Sequence, residues 1–169
     1  MGKGKARRMG DWTGFFAAEV GAAAALAGLV MVAISINLSR ILDDPMLPGR
    51  AVETLVLPTG ALVASSFALV PGQPPLVFAL ETALTGAAMW LVPVLLQSGV
   101  RGAQGRGRDL RNFLPRVLLA QLSSVPIVVS GVLIYLGSEA ALYWMVAGIV
   151  TSLIATVINA WVLLVEILR

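Results

Sequence analysis

The chain has 169 residues, of which 58% are hydrophobic, and its mean hydropathy of +0.89 is too high for an ordinary soluble domain. It contains no Cys and no His, which excludes disulfides, thiolate catalysis and the commonest metal ligands and proton shuttles. The net charge is +3, and the basic residues flank apolar runs. Membrane orientation and contact with anionic lipid headgroups explain that pattern without nucleic acid.

The chain begins with a basic tail, residues 1–12, which we expect to be disordered outside the membrane. The first apolar run follows at residues 13–38. It is long enough to span a bilayer, because about 20 residues rising about 1.5 Å each cross the hydrocarbon core. It is too long for the apolar part of a signal peptide, and no small-residue cleavage site follows it. We therefore expect a single membrane domain over residues 13–169.

One face of this first helix is nearly bare backbone, because Gly14, Gly21, Gly28 and Ser35 recur every seven residues. Small residues allow another helix to approach closely. We expect this face to pack against a helix, either within the chain or across an oligomer interface. The alternative interpretation is that it lines a pore. On both interpretations the first helix is expected at the centre of the assembly.

Four more apolar runs follow, at residues 51–70, 76–96, 116–136 and 139–168. Residues 39–50 are predicted to form a loop from their Asp, Pro and Gly content, and residues 97–115 a flexible Arg-rich loop. Pro58, Pro93 and Pro126 are expected to kink three of the helices. The predicted fold is an all-α membrane protein, a bundle of five transmembrane helices with short loops.

Five spans put the two ends of the chain on opposite faces of the membrane. The N-terminal face carries four Lys or Arg residues, all in the tail. The other face carries eight, which are Arg40, Arg50, Arg101, Arg106, Arg108, Arg111, Arg116 and Arg169. The positive-inside rule therefore predicts that the N-terminus is outside and the C-terminus inside, although a tail with four basic residues resists translocation.

Two glutamates, Glu19 and Glu81, lie at similar depth in the first and third apolar runs. An ionised carboxylate at mid-membrane costs about 3 kcal/mol, so each of them needs a partner or water. Either both reach the headgroups near the interface, or they share a proton, bind a cation or line water in an oligomer. These alternatives stay open at this stage.

A second polar level lies near the opposite face of the membrane and contains Ser35, Asn37, Glu53 and Asn159. Amides and hydroxyls in transmembrane helices usually bond to neighbouring helices, typically for about 1 kcal/mol. Packing between helices is therefore the simpler interpretation, and a substrate path is the alternative. Together with Glu19 and Glu81, residues Asn37, Glu53 and Asn159 are the candidates for an ion or proton pathway.

No catalytic constellation is present in the sequence. There is no Walker A motif, dinucleotide fingerprint, HExxH motif or nucleophile elbow. The serines have no His to activate them, and every Asp lies in a predicted loop or in the tail. We therefore expect no enzymatic activity, no catalytic residue, no metal site and no cofactor.

Several segments resemble a family of small bacterial integral membrane proteins whose members carry the label of modulators of the membrane protease FtsH. The segments are residues 15–16, 25–33, 35–38, 47–51, 70–73 and 159–169. The resemblance covers most of the chain and implies a multi-pass protein of the plasma (inner) membrane. It also implies that the protein binds a membrane partner and performs no chemistry itself, and it supplies no site residues.

A shorter stretch is similar to the pore-lining first helix of Orai calcium channels. It consists of residues 26–28 followed by residues 31–33. In those channels a glutamate follows soon after, whereas this chain has Ile36 at that place, next to Asn37. The acidic ligand is therefore missing.

The sequence thus supports two functional hypotheses. The first is a non-enzymatic accessory protein that binds or modulates other membrane proteins, as a homo-oligomer or within a larger membrane complex. The alternative is an oligomeric ion channel or small transporter, in which the first helix lines the pathway.

Overall fold

The computed structural model describes the backbone of residues 2–45, 47–103 and 110–167, and the side chains of residues 12–45, 47–96 and 117–165. In these ranges the chain forms no β-strand and six helices: α1 (Gly2–Ile36), α2 (Leu38–Asp43), α3 (Leu47–Ala68), α4 (Pro75–Ala103), α5 (Leu110–Tyr135) and α6 (Ala141–Ile167). Every helix except α2 contains a stretch long and apolar enough to cross a membrane. The predicted all-α bundle of five transmembrane helices is confirmed, and the chain is a multi-pass membrane protein.

Two segments predicted to be irregular are helical. The first is the basic tail, because α1 begins at Gly2, whereas its apolar span begins at Trp12. The tail contains Ala, Arg, Lys and Met, which are good helix formers, and no proline. The second is the predicted loop at 39–50, which contains part of α2 and the first turn of α3. Pro48 lies in that first turn, where its missing N–H costs no helical hydrogen bond.

The predicted Arg-rich loop at 97–115 is also shorter than expected. Helix α4 continues to Ala103, and α5 begins at Leu110. The remaining part of that prediction, residues 104–109, lies outside the described residues.

Helix α3 is central in the bundle, since it packs against α1, α4 and α6. In its most apolar 18-residue window 50% of the residues are buried, compared with 11% for α1. Helix α1 lies at the edge of the protomer, against α3 and the N-terminal part of α6. Within the protomer it therefore does not occupy the central place expected for it. Hydropathy cannot mark the inner helix, because lipid tails are as apolar as leucine.

Helix α1 attaches to the bundle through one stripe of residues with seven-residue spacing. Phe16, Ala23 and Val30 are buried, with exposed fractions of 2%, 0% and 4%. Phe16 and Ala23 pack with Ala61 and Ala64 of α3 in one apolar cluster. This stripe lies about 200° round the helix from the glycine stripe, since each residue turns the helix by about 100°.

Helices α4 and α5 touch backbone to backbone at two glycines. A Cβ atom at Gly86 would lie 2.7 Å from the backbone nitrogen of Val128, and one at Gly131 would lie 2.7 Å from the backbone nitrogen of Ala83. These reciprocal contacts run in opposite directions along the two helices, so α4 and α5 are antiparallel. Gly148 makes a similar approach from α6 towards Ser123 and Ile127 of α5.

A hydrogen bond between helices compensates for one proline. Pro126 has no N–H. The carbonyl of Leu122, four residues earlier in α5, therefore lacks its usual backbone donor. The hydroxyl of Thr151 on α6 donates to that carbonyl at 2.9 Å and also lies 2.7 Å from the carbonyl of Ala147 in its own helix. Thr151 therefore stabilises the α5–α6 contact at the point where α5 lacks a backbone bond.

We expect Gly131→Ala to destabilise the protein by about 1–3 kcal/mol, because the new methyl group meets the backbone of α4 and the two helices must separate. The matched control is Gly28→Ala, where no heavy atom lies within 4 Å of the new Cβ. Unfolding in mixed detergent micelles measures both variants. Equal stability of the two variants would contradict the close contact.

We expect Thr151→Val to cost about 1 kcal/mol, because it leaves the carbonyl of Leu122 without a donor. In a Pro126→Ala background the same substitution is expected to cost less, since the new backbone N–H at position 126 reaches that carbonyl. A double-mutant cycle of unfolding free energies measures the difference. Additive effects of the two substitutions would show that Thr151 does not compensate for the proline.

Candidate functional site

The predicted packing residues form an exposed face on α1, which we call the small-residue face and define as Gly14, Gly21, Gly28 and Ser35. No heavy atom lies within 4 Å of a Cβ built on any of the three glycines. Ser35 is exposed too, and its hydroxyl donates to the carbonyl of Met31 at 2.8 Å. Packing of this face against another helix of the chain is not seen among the described residues, and the face is directed away from the described part of the bundle.

Glu19 lies in the same helix on its packed side. It is half-buried, and its Oε2 atom is fully buried without a hydrogen-bond partner. Its neighbours one turn away in each direction are Phe16 and Ala23, both in the core against α3 and α6. The carboxyl group is thus held in an apolar contact between helices.

Glu81 has a different environment from Glu19. The side-chain amide of Gln73, in the turn between α3 and α4, donates to its carboxylate. This turn is tight, because Gly72 adopts a left-handed φ of 68° that side-chain-bearing residues rarely adopt. Glu81 is therefore hydrogen-bonded to Gln73 near the N-terminal end of α4, and no hydrogen bond joins it to Glu19.

The second predicted polar level lies at the other end of the bundle, where α1 ends and α3 begins. Asn37 interrupts the helix between α1 and α2, and its side-chain amide donates to the carbonyl of Ala33 at 2.9 Å. Glu53 is buried in α3, with 8% of its surface exposed. Asn159 is half-buried on α6, one turn before Leu163, which packs at this same end against α2 and α3.

The hydroxyls of the described helices mostly bond to their own backbone. Eight of them donate to the carbonyl four residues earlier: Ser35, Thr54, Ser66, Thr85, Ser123, Ser124, Ser152 and Thr156. Two buried hydroxyls, on Ser65 and Thr82, have no partner. Neither residue is among the site residues predicted from the sequence. The signal that distinguishes them is their side-chain geometry and not their residue type.

No group of three or more His, Cys, Asp or Glu residues that would hold a metal ion occurs among the described residues. A groove of about 290 Å³ lies between α4 and α5. Its lining is apolar and consists of Ala87, Trp90, Val125, Val128 and Val129. This groove has no side chain for acid–base chemistry or ion binding.

We expect Gln73→Ala to destabilise the α3–α4 hairpin by about 1.5–3 kcal/mol, the usual cost of losing a hydrogen bond to a charged group. The matched comparison is Glu81→Gln, which keeps an acceptor for the Gln73 amide and is expected to cost less. Unfolding in micelles measures both variants. A larger cost for Glu81→Gln would contradict this role of Gln73.

Comparisons of the chain with protein-family models, with curated proteins and with solved structures found no match. The resemblances to the family labelled modulators of FtsH protease and to the Orai first helix therefore stay predictions.

Proposed function

We propose that the protein is a non-enzymatic accessory protein that binds another transmembrane helix through the small-residue face of α1. The observation that supports this most is the open space beside Gly14, Gly21 and Gly28. Helix association in lipid depends on close packing of small residues, because lipid tails compete equally well for apolar side chains. A long face of this kind therefore suits a helix from another chain.

The glycines of the bundle interior support the proposal by contrast. A Cβ at Gly60, Gly86, Gly131 or Gly148 would overlap a neighbouring helix, so each of these glycines serves a contact within the chain. Gly14, Gly21 and Gly28 serve none among the described residues. Their seven-residue spacing keeps them on one side of the helix over the length of the membrane span.

The small-residue face also has a proposed membrane and orientation. We propose the plasma (inner) membrane, with the N-terminus outside and the C-terminus inside, from the eight basic residues on the C-terminal side against four on the other. Those basic residues would contact anionic lipid headgroups. The partner helix belongs either to a second copy of the chain or to a protein of a larger membrane complex.

The test uses the absence of cysteine from the chain, so that a single introduced thiol is the only one. With Gly21→Cys we expect cross-linked products in membranes, either with a second copy or with another protein, which mass spectrometry identifies. The control is Ala147→Cys, on the exposed side of α6. Equal yields at the two positions would contradict a preferred docking face.

Bulky substitutions provide a second readout of the same face. We expect Gly21→Leu to abolish the complex that purifies with the wild-type chain in nanodiscs, because the side chain holds the partner helix away. The control Ala147→Leu is expected to leave the mass of that complex unchanged. A complex that survives Gly21→Leu would overturn the proposal.

The second candidate function is an oligomeric ion channel or small transporter, with α1 lining the pathway. The observation in its favour is again the exposed small-residue face, which in a ring of copies would bring bare backbone to the axis. A symmetric oligomer that conducts ions is its expected result. Absence of flux from the purified wild-type oligomer would count against it.

A further inference from the structure

Three buried side-chain oxygens have no hydrogen-bond partner in the part of the chain whose side chains are described: Glu19 Oε2, Ser65 Oγ and Thr82 Oγ1. Leaving a buried polar atom unpaired costs about 1–3 kcal/mol. Serine and threonine in a helix can avoid that cost by donating to the carbonyl four residues earlier. Ser65 is fully buried and does not do so, which leaves its hydroxyl available to another group.

Glu19 and Ser65 lie on two helices that pack against each other, α1 and α3. Glu19 lies between Phe16 and Ala23, and Ser65 follows directly after Ala64. Phe16, Ala23 and Ala64 belong to one apolar cluster. Both residues therefore belong to helices that meet at this apolar cluster.

The charges around this contact do not neutralise a carboxylate at Glu19. On α3 the nearest ionisable residue is Glu53, twelve residues from Ser65 and so about 18 Å along the helix. On α6 it is Tyr143, whose ring packs on Trp12 with centroids 5.1 Å apart. Glu81 is on α4 and is bonded to Gln73.

The basic side chains that the structure describes are far from Glu19. Arg40 follows Asn37 on α2, and Arg50 lies at the start of α3, so both are at the opposite end of the bundle. Asp43 and Asp44 are at that end too. Among the residues whose side chains are described, none supplies a cation to a carboxylate at Glu19.

We propose that Glu19 and Ser65 form an intramembrane binding site for a small monovalent cation, a proton or Na⁺, at the contact between α1 and α3. Hard cations prefer oxygen ligands, and a carboxylate with a hydroxyl supplies them. One carboxylate neutralises one positive charge, which matches a monovalent ion in an apolar setting. The site is separate from the proposed docking face, because Glu19 is about 200° round the helix from Gly21.

The experiment is labelling of the full-length protein in nanodiscs with dicyclohexylcarbodiimide, which reacts with protonated carboxyl groups in apolar surroundings. Mass spectrometry locates the modified residue and measures its rate of modification. We expect Glu19 to be labelled, and the label at that position to disappear in Glu19→Gln. We expect the rate to fall as the pH rises or as Na⁺ is added at fixed pH.

Two variants test whether Ser65 belongs to the site. Ser65→Ala is expected to change the proton or Na⁺ concentration at half-maximal labelling by about tenfold, the effect of losing one ligand to a charged group. Thr82→Val is the matched control, because Thr82 is an equally buried and unpartnered hydroxyl on a helix that does not belong to the α1–α3 contact. Thr82→Val is expected to leave the dependence of Glu19 labelling on pH and Na⁺ unchanged.

The outcomes separate the two cations and test the site. Dependence on pH alone identifies the proton, and dependence on Na⁺ at fixed pH identifies Na⁺. Labelling of Glu19 that responds to neither overturns the proposal, as does failure of Glu19 to react. A Ser65→Ala profile identical to wild type, or an equal change in Thr82→Val, overturns the assignment of Ser65.

Discussion

Contact between helix backbones at glycines is the constraint on which the bundle depends. Lipid tails solvate apolar side chains as well as a neighbouring helix does, so hydrophobicity does not hold the helices together. Close approach does, and it occurs where Gly86 and Gly131 bring α4 and α5 together and where Gly148 brings α6 onto α5. Helix α3 is positioned against this layer by Gly60, which leaves room for Met89 of α4. The remaining helix, α1, is attached to α3 by small and large apolar residues, and Gly14, Gly21 and Gly28 lie away from that contact.

The polar side chains of the bundle are of three kinds, which differ in where they find a hydrogen-bond partner. Most hydroxyls bond to the helix that carries them, which settles their cost locally and leaves them without further role. Thr151 bonds across to the Leu122 carbonyl, so its role follows from the missing N–H of Pro126. Glu19 and Ser65 belong to neither kind, because their buried oxygens have no partner. In an interior of low polarity such atoms carry a cost that a bound ligand removes.

The number and type of the transmembrane helices were predictable, because bilayer thickness fixes the length of an apolar run and the backbone must satisfy its own hydrogen bonds. Which face of α1 packs against the bundle was not predictable, since the stripes beginning at Gly14 and Phe16 have the same spacing and are both apolar. Pairing Glu81 with Glu19 by depth missed the amide of Gln73, because the reach of that side chain depends on the geometry of the turn. The bond from Thr151 to Leu122 needs the register between α5 and α6. A proline indicates which carbonyl lacks a donor but not which helix supplies one.

The two proposals concern opposite sides of one helix, and that gives them a physical connection. Because α1 is held mainly by one stripe of side chains, its position relative to α3 is sensitive to the charge at their contact. A bound cation removes the cost of a carboxylate against Ala23 and its apolar neighbours, and so favours close contact between the two helices. A partner that docks on the small-residue face and prefers that same position of α1 binds more tightly when the cation is present. Linkage then requires that the partner raise the cation affinity by the same factor.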